Sequence, residues 1–320
     1  MRVEASCRQW QRCRFREFPE KLFYDLEKQE AESWQMMKTG MVLEGGAMRG
    51  MYTAGVTDVL CENEVWVDGV LGVSAGVTFG VNYKSRQVGR TIRYNKKYCG
   101  NPNYYSIRSW LRTGDVFNVH FSYHRIPFEL DPFDEDAYEA NHTDFYVTVT
   151  DVETGKPVYH QIPTCNEHDL LWIRASASMP GFSRVVEVDG GRYLDGGASD
   201  SIPLRAFEDM GYQRNLVVLT QVEGYRKKPA GLVEKLAYAL SLHKIPAMKK
   251  VMLNRADMYN TELDYVAAQQ RAGAAYVLRP SVDLGVSRLE RNPEKLQAMY
   301  DLGRADALAH LDEICAFLSR

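Results

Sequence analysis

A short apolar run that ends in glycines and passes at once into a helical stretch occurs twice in succession near the start of this chain. "GMVLEGG" reads as a strand entering a turn and "RGMYTAGVTDVLCENE" as a helix; "VDGVLGVS" reads as a second strand and "AGVTFGVNYKS" as a second helix. That β-α-β-α order demands parallel strands joined by crossover helices. Only one helix and one strand fit between the two glycine turns, so both turns fall at the same end of a sheet.

Further along, "DFYVTVTDVETGKPVYHQ" reads as two strands joined at Glu153 to Lys156. "DLLWIRASAS" reads as a helix stopped by Pro180, "VVEVDGGRYLDGG" as a hairpin around Asp189 to Gly191, and "NLVVLTQV" as a buried strand. After about residue 225 the pattern is helical, interrupted by one strand, "AYVLRP". The expected organisation is a charged N-terminal arm over 1–39, a core over 41–206, and strands and helices over 207–320 packed on that core. The arm begins arginine-rich and has no glycine before Gly40; Met36 and Met37, just ahead of the first strand, offer a later translation start. N-terminal sequencing of the endogenous protein that found Met1 or Arg2 would exclude that start.

With 320 residues, a net charge of -3 and 25% charged residues, no global field favours nucleic acid or a strongly acidic partner. Cys7, Cys13, Cys61, Cys99, Cys165 and Cys315 are scattered, without a C-x-x-C or a cysteine/histidine cluster. They read as reduced thiols, with neither a disulfide frame nor a metal site. No apolar run approaches the ~18 residues a spanning helix needs, and no signal peptide is apparent. A cytoplasmic chain is expected, with at most peripheral contact at a membrane.

Three stretches carry candidate chemistry. "GVSAG" places Ser74 on a strand-to-helix turn, where Gly72 and Gly76 remove the Cβ atoms that would collide and the helix N-terminus supplies N–H groups. On its own this reads equally as a nucleophile or as a plain turn. "EGGAMRG" lets backbone N–H groups converge on one point, as an oxyanion or a phosphate needs, or forms an ordinary tight connection. A dinucleotide fingerprint is disfavoured, because Ala47 stands at the third position of G-x-G-x-x-G and the next strand lacks an acidic terminus, and the chain has no G-K-[ST] phosphate loop. "LDGG" closes a strand with Asp195 before Gly196 and Gly197, a turn-former or a base. A serine needs such a base, and none of His120, His124, His142, His160, His168, His243 or His310 stands at a strand end before a small-residue turn.

Taken together, "EGGAMRG", "GVSAG" and "LDGG" in this order, with "RASASMPGF" similar to an ASxAxP segment, resemble the patatin-like phospholipases over about Met41 to Pro203. Distal segments such as "VVLTQVEGYRKKP", "MLNRADMYN" and "LGVSRLERNPEKLQAMYDLG" look similar to a bacterial cytosolic branch of that family. The resemblance implies a three-layer α/β/α fold with a mostly parallel central sheet and a helical C-terminal extension. It also implies a serine lipid acyl hydrolase acting on phospholipid or other acyl esters through a Ser-Asp dyad, with no cofactor and no metal. Residue by residue, Ser74 becomes the nucleophile, Asp195 the proton acceptor, and the N–H groups of Gly45, Gly46, Ala47, Met48 and Arg49 the oxyanion hole. Gly50, Gly72, Gly76, Gly196 and Gly197 are the motif glycines. The family has glycine where this chain has Ala47, which at positive φ costs roughly 1 kcal/mol or more.

Two alternatives stand beside this reading: a catalytically weak scaffold that binds lipid or a partner, and a Ser-His-Asp esterase using His243 or His310. Arg49 is expected to anchor its loop by pairing with a carboxylate such as Glu44 in preference to steering a lipid phosphate. "GYRKKP" is expected to be a solvated loop in preference to a membrane contact. The aromatic-rich stretch 101–130 is expected to be packed core in preference to an acyl-chain cleft or lid.

Overall fold

The computed structural model describes residues 37–319. The expected N-terminal arm lies outside that range as far as residue 36, as does the offered start at Met36, while Lys38 and Thr39, assigned to the arm, belong to the first strand. Strand β1 (Lys38–Leu43) leads through a short 3-10 turn (Ala47–Gly50) into α1 (Met51–Glu62). Strand β2 (Gly69–Val73) leads into α2 (Ala75–Lys84), followed by α3 (Arg90–Tyr98) and α4 (Ile107–Thr113). A wide helical turn over Phe121–Leu130 and α5 (Glu135–Ala140) precede β3 (Asp144–Asp151), β4 (Pro157–Gln161) and α6 (Glu167–Ser176). The hairpin β5 (Val186–Val188) and β6 (Gly191–Asp195) comes next, then α7 (Leu204–Asp209) and β7 (Tyr212–Val218). The chain closes with α8 (Leu232–Ser241), α9 (Pro246–Ala272), β8 (Ala275–Leu278), α10 (Pro293–Ala309) and α11 (Leu311–Leu318).

The eight strands form one sheet, hydrogen-bonded in the order β5-β6-β3-β2-β1-β7-β8, with β4 also on β3. From β3 to β8 all neighbours are parallel; β4, β5 and β6 add antiparallel pairs at one side. Successive residues of the central strands enter different cores, as a pleat buried on both faces requires. Met41, Leu43, Val70, Leu216 and Val218 pack with α1, α2, α6 and α10 on one face. Val42, Leu71 and Val217 pack with α7 and α9 on the other. The result is a three-layer α/β/α arrangement.

The registers around β3 decide what happens at the sheet's active end. Parallel β2 pairs with β3 up to Val73 opposite Thr148. Antiparallel β6 pairs with β3 from Asp195 opposite Val149. Strand β4 faces both Val147 and Val149, and a strand has two edges, so β2 and β6 must share the remaining one. They approach each other head-on, and the residue after Val73 meets the last residue of β6.

Candidate active site

Those two residues are Ser74 and Asp195. Ser74 adopts φ 54° and ψ -118° at the N-cap of α2, a conformation that an L residue holds only under constraint from its surroundings. The constraint is close packing of the helix on β1: a Cβ on Gly76 would lie 2.3 Å from the Leu43 carbonyl oxygen. A serine at an N-cap ordinarily turns its hydroxyl onto the helix's own N–H groups; Ser74 makes no such bond. Its backbone N–H donates to Ser176 Oγ at 2.9 Å, and that hydroxyl donates to the Thr148 carbonyl at 2.7 Å. The Asp195 N–H donates to the Ser178 carbonyl at 2.8 Å. The "ASAS" segment thus buttresses both residues.

Asp195 is 2% exposed, and its Oδ1 accepts the Gly197 N–H at 2.8 Å. Burial raises its pKa above the ordinary carboxylate value; the Ser74 hydroxyl, Arg255, the Gly197 N–H and Arg288 draw it back down, in that order of size. The Ser74 and Asp195 side chains are within interaction range without a closed hydrogen bond of standard geometry, as is common before substrate is bound.

The "EGGAMRG" loop lies directly on Ser74: a Cβ on Gly45 would come within 3.0 Å of Ser74 Cβ. Buried Glu44 ties this loop down, accepting from Thr220 N–H at 2.6 Å and from the Tyr259 hydroxyl at 2.6 Å. Ala47 has φ 49°, the left-handed conformation that glycine adopts freely. The five-residue oxyanion set expected from sequence needs narrowing. Met48 N–H is committed to the Arg288 carbonyl and Arg49 N–H to the Gly46 carbonyl. Among the described residues, the N–H groups of Gly45, Gly46 and Ala47 donate to no protein acceptor.

A family model described as patatin-like phospholipase matches residues 41–208, more than half of the chain. The chain belongs to the patatin-like phospholipase family. A second model, described as a domain of unknown function (DUF6363), matches residues 245–319, downstream of the patatin-like segment. Uncharacterized protein YjjU of Escherichia coli strain K12 is 29% identical over 193 residues, 58% of this chain and 53% of that protein. Lysophospholipase nte1 of Aspergillus fumigatus is 26% identical over 180 residues, 54% of this chain and 11% of that protein. The chain thus spans about half the length of the first relative and about a tenth of the second. The solved structure of VipD from Legionella pneumophila is similar at a TM-score of 0.42 and 12% identity, over 87% of this chain and 67% of that one.

One cleft contains all of these groups. It is lined by Phe79, Tyr94, Tyr104, Phe117, Tyr123 and Ile126, and also by Arg49, Lys227, Arg255, Tyr259 and Arg288. The reading of 101–130 as packed core holds for Tyr104, Tyr105, Phe121 and Ile126, but Tyr104 and Ile126 also border the cleft, which half-buried Phe117 and Tyr123 and exposed Phe128 line as well. "GYRKKP" is not wholly solvated either. Arg226 pairs outward with Asp264, whereas Lys227 turns inward, with Nζ 4.3 Å from the Tyr259 ring centre. Arg49 does not pair with Glu44, whose oxygens are taken; with the Gln221 amide turned oxygen-first, it donates there at 2.6 and 3.2 Å. His243 and His310 are exposed and bond to the Leu240 carbonyl and the Tyr276 hydroxyl. Among the described residues no histidine lines the cleft.

Sequence reasoning missed Lys227, Arg255, Tyr259, Arg288 and Ser176 as site residues. Only Ser176 had a signal, its place in "ASAS".

Proposed function

We propose that the chain is a serine lipid acyl hydrolase whose nucleophile is Ser74 and whose general base is Asp195. The observation that carries this is the head-on meeting of β2 and β6 on one edge of β3. It brings an uncapped serine hydroxyl beside a buried carboxylate, under three uncommitted N–H groups, at an aromatic cleft. Asp195 accepts the Ser74 proton as Oγ bonds to the ester carbonyl carbon, and the Gly45, Gly46 and Ala47 N–H groups receive the oxyanion. The C–O bond to the alcohol breaks, the alcohol leaves with the proton from Asp195, and an acyl-enzyme remains. Asp195 then takes a proton from water as that water attacks, and the fatty acid departs with Ser74 regenerated. The raised pKa suits this part, since a base works best when its pKa moves towards the working pH.

The lysophospholipase name of the A. fumigatus relative agrees with a lipid ester substrate. Phe128, Phe182 and Leu289 line the cleft and are also exposed, an apolar rim suited to lipid at a membrane surface. Among the described residues no helix is long and apolar enough to cross a membrane. The scaffold alternative loses its ground at Ala47, whose φ is the one the loop requires and whose N–H is intact.

A fluorophosphonate probe is expected to label wild-type protein at Ser74, and Ser74→Ala is expected to lose both label and ester turnover. Asp195→Asn is expected to lower turnover by roughly 100-fold or more. Full labelling and turnover in Ser74→Ala would defeat the reading.

A further inference from the structure

Beside Ser74, the cleft holds more positive charge than its own carboxylates balance. Arg49, Arg90, Lys227, Arg255 and Arg288 line it, against Glu44, Glu135 and Asp195, and of these cations Arg90 is paired with Asp131. Glu44 is engaged by Thr220 and Tyr259. Among the described residues none of the other four cations is joined to a carboxylate by an ion pair, whereas Arg226, next to Lys227, pairs with Asp264. Their fixed partners are neutral. Arg255 Nε donates to the Gly197 carbonyl at 2.6 Å, and Arg49 uses Gln221. The Arg49 Nε is buried without a partner. Lys227 is held by its backbone, which exchanges two bonds with the Asn260 side chain at 2.9 and 3.0 Å.

Such an arrangement is costly. Burial lowers the pKa of Arg49 and of Arg255, and neighbouring Arg288 lowers both further. Lys227 is lowered to about 7, by burial first and then by Arg255 and Arg288. Like charges held together in a desolvated cleft, on pre-positioned side chains, fit an anion that arrives from outside. Ser74 and Asp195 line the same cleft as both sets of residues.

We propose that Lys227, Arg255, Arg288 and Arg49 form a subsite for a phosphate ester anion, occupied by the headgroup phosphate of a lipid whose acyl chain lies among the aromatic residues. This rests on Ser74 being the nucleophile, because in a glycerophospholipid the phosphate stands only a few bonds from the scissile ester and its subsite must adjoin the reacting serine. It also gives the segment matched as a domain of unknown function a task at the site. Residues 245–319 contribute Arg255, Tyr259 and Arg288.

The test uses the full chain and two esters of one fatty acid, a neutral monoacylglycerol and the corresponding lysophosphatidylglycerol. The readout is the ratio of their kcat/KM values. Lys227→Met and Arg288→Gln are each expected to lower the phosphate-to-neutral ratio by roughly tenfold or more, the loss of one charged hydrogen bond. Lys227→Arg is expected to restore the ratio, and Lys228→Met, at an exposed neighbour, to leave it unmoved. An unchanged ratio in both Lys227→Met and Arg288→Gln overturns the proposal. Calorimetric titration of Ser74→Ala with dimethyl phosphate separates the two readings. Binding that disappears in Ser74→Ala/Lys227→Met supports the subsite even if wild type hydrolyses neither ester, and no binding overturns it. Added inorganic phosphate identifies the source. Competition with lysophosphatidylglycerol alone marks a lipid headgroup site, and a change in monoacylglycerol turnover that Lys227→Met abolishes marks a site for free phosphate.

Discussion

Ala47 and Ser74 both hold positive φ values, 49° and 54°, but the two strains differ in kind. At Ser74 the strain presents the hydroxyl; at Ala47 the side chain contributes nothing that glycine would lack. Ala47→Gly is therefore expected to stabilise the protein by about 1 kcal/mol, a rise in Tm of roughly 2–4 °C by calorimetry. An unchanged or lower Tm would show that the left-handed conformation is not strained. Ser74 and Asp195 could be nominated from the sequence because the grammar of a strand and a small-residue turn is local and names its own central residue. Lys227 was not legible. In "GYRKKP" three adjacent cations look alike, and which of them turns inward is set by Asn260, 33 positions away. Arg255 and Arg288 share the difficulty, each being one charged residue in a polar stretch whose inward direction is fixed by distant packing.

Among the elements, the tightest contact is the crossing of α1 and α10. A Cβ on Gly55 would lie 2.1 Å from the Tyr300 carbonyl oxygen, and a Cβ on Gly303 would lie 2.1 Å from that of Tyr52. The backbones touch, so neither position admits even a methyl group without separating the helices. Gly303→Ala is expected to cost about 1–3 kcal/mol, read as a lower urea midpoint with unchanged slope. The Gly55→Ala/Gly303→Ala double variant is expected to cost less than the sum of the singles, because one separation serves both. The alternation of strands and helices was readable from apolar periodicity. Two element-level features were not: that β6 joins the edge of β3 already used by β2, and that the last helical stretch divides at His310 into α10 and α11. Edge choice depends on which strand edges remain free once the sheet has assembled, and no local pattern encodes that.

For the molecule as a whole, a net charge of -3 hides a cleft with the opposite excess. The two ionisations in that cleft predict different pH profiles for different substrates. On the proposed mechanism turnover of any ester needs the Asp195 carboxylate, whose pKa burial raises above the ordinary aspartate value, so activity is expected to be lost on acidification at a higher pH than for an ordinary aspartate. A phosphate-bearing ester also needs Lys227 charged. Faced by Arg49, Arg255 and Arg288 and by the single carboxylate Glu44, this lysine is charged below about 7 and neutral above it. For the lysophosphatidyl ester, kcat/KM is expected to fall as pH rises through the neutral range; the monoacylglycerol lacks that limb, and Lys227→Arg removes it. Identical profiles for the two esters would contradict this. The abutment of β2 and β6 has a mechanical consequence. Val73, which precedes Ser74, and Asp195 pair with consecutive residues of one interior strand, Thr148 and Val149. A motion that parted Ser74 from Asp195 would break that pairing, so on the proposed mechanism regulation is expected to act on access to the pair.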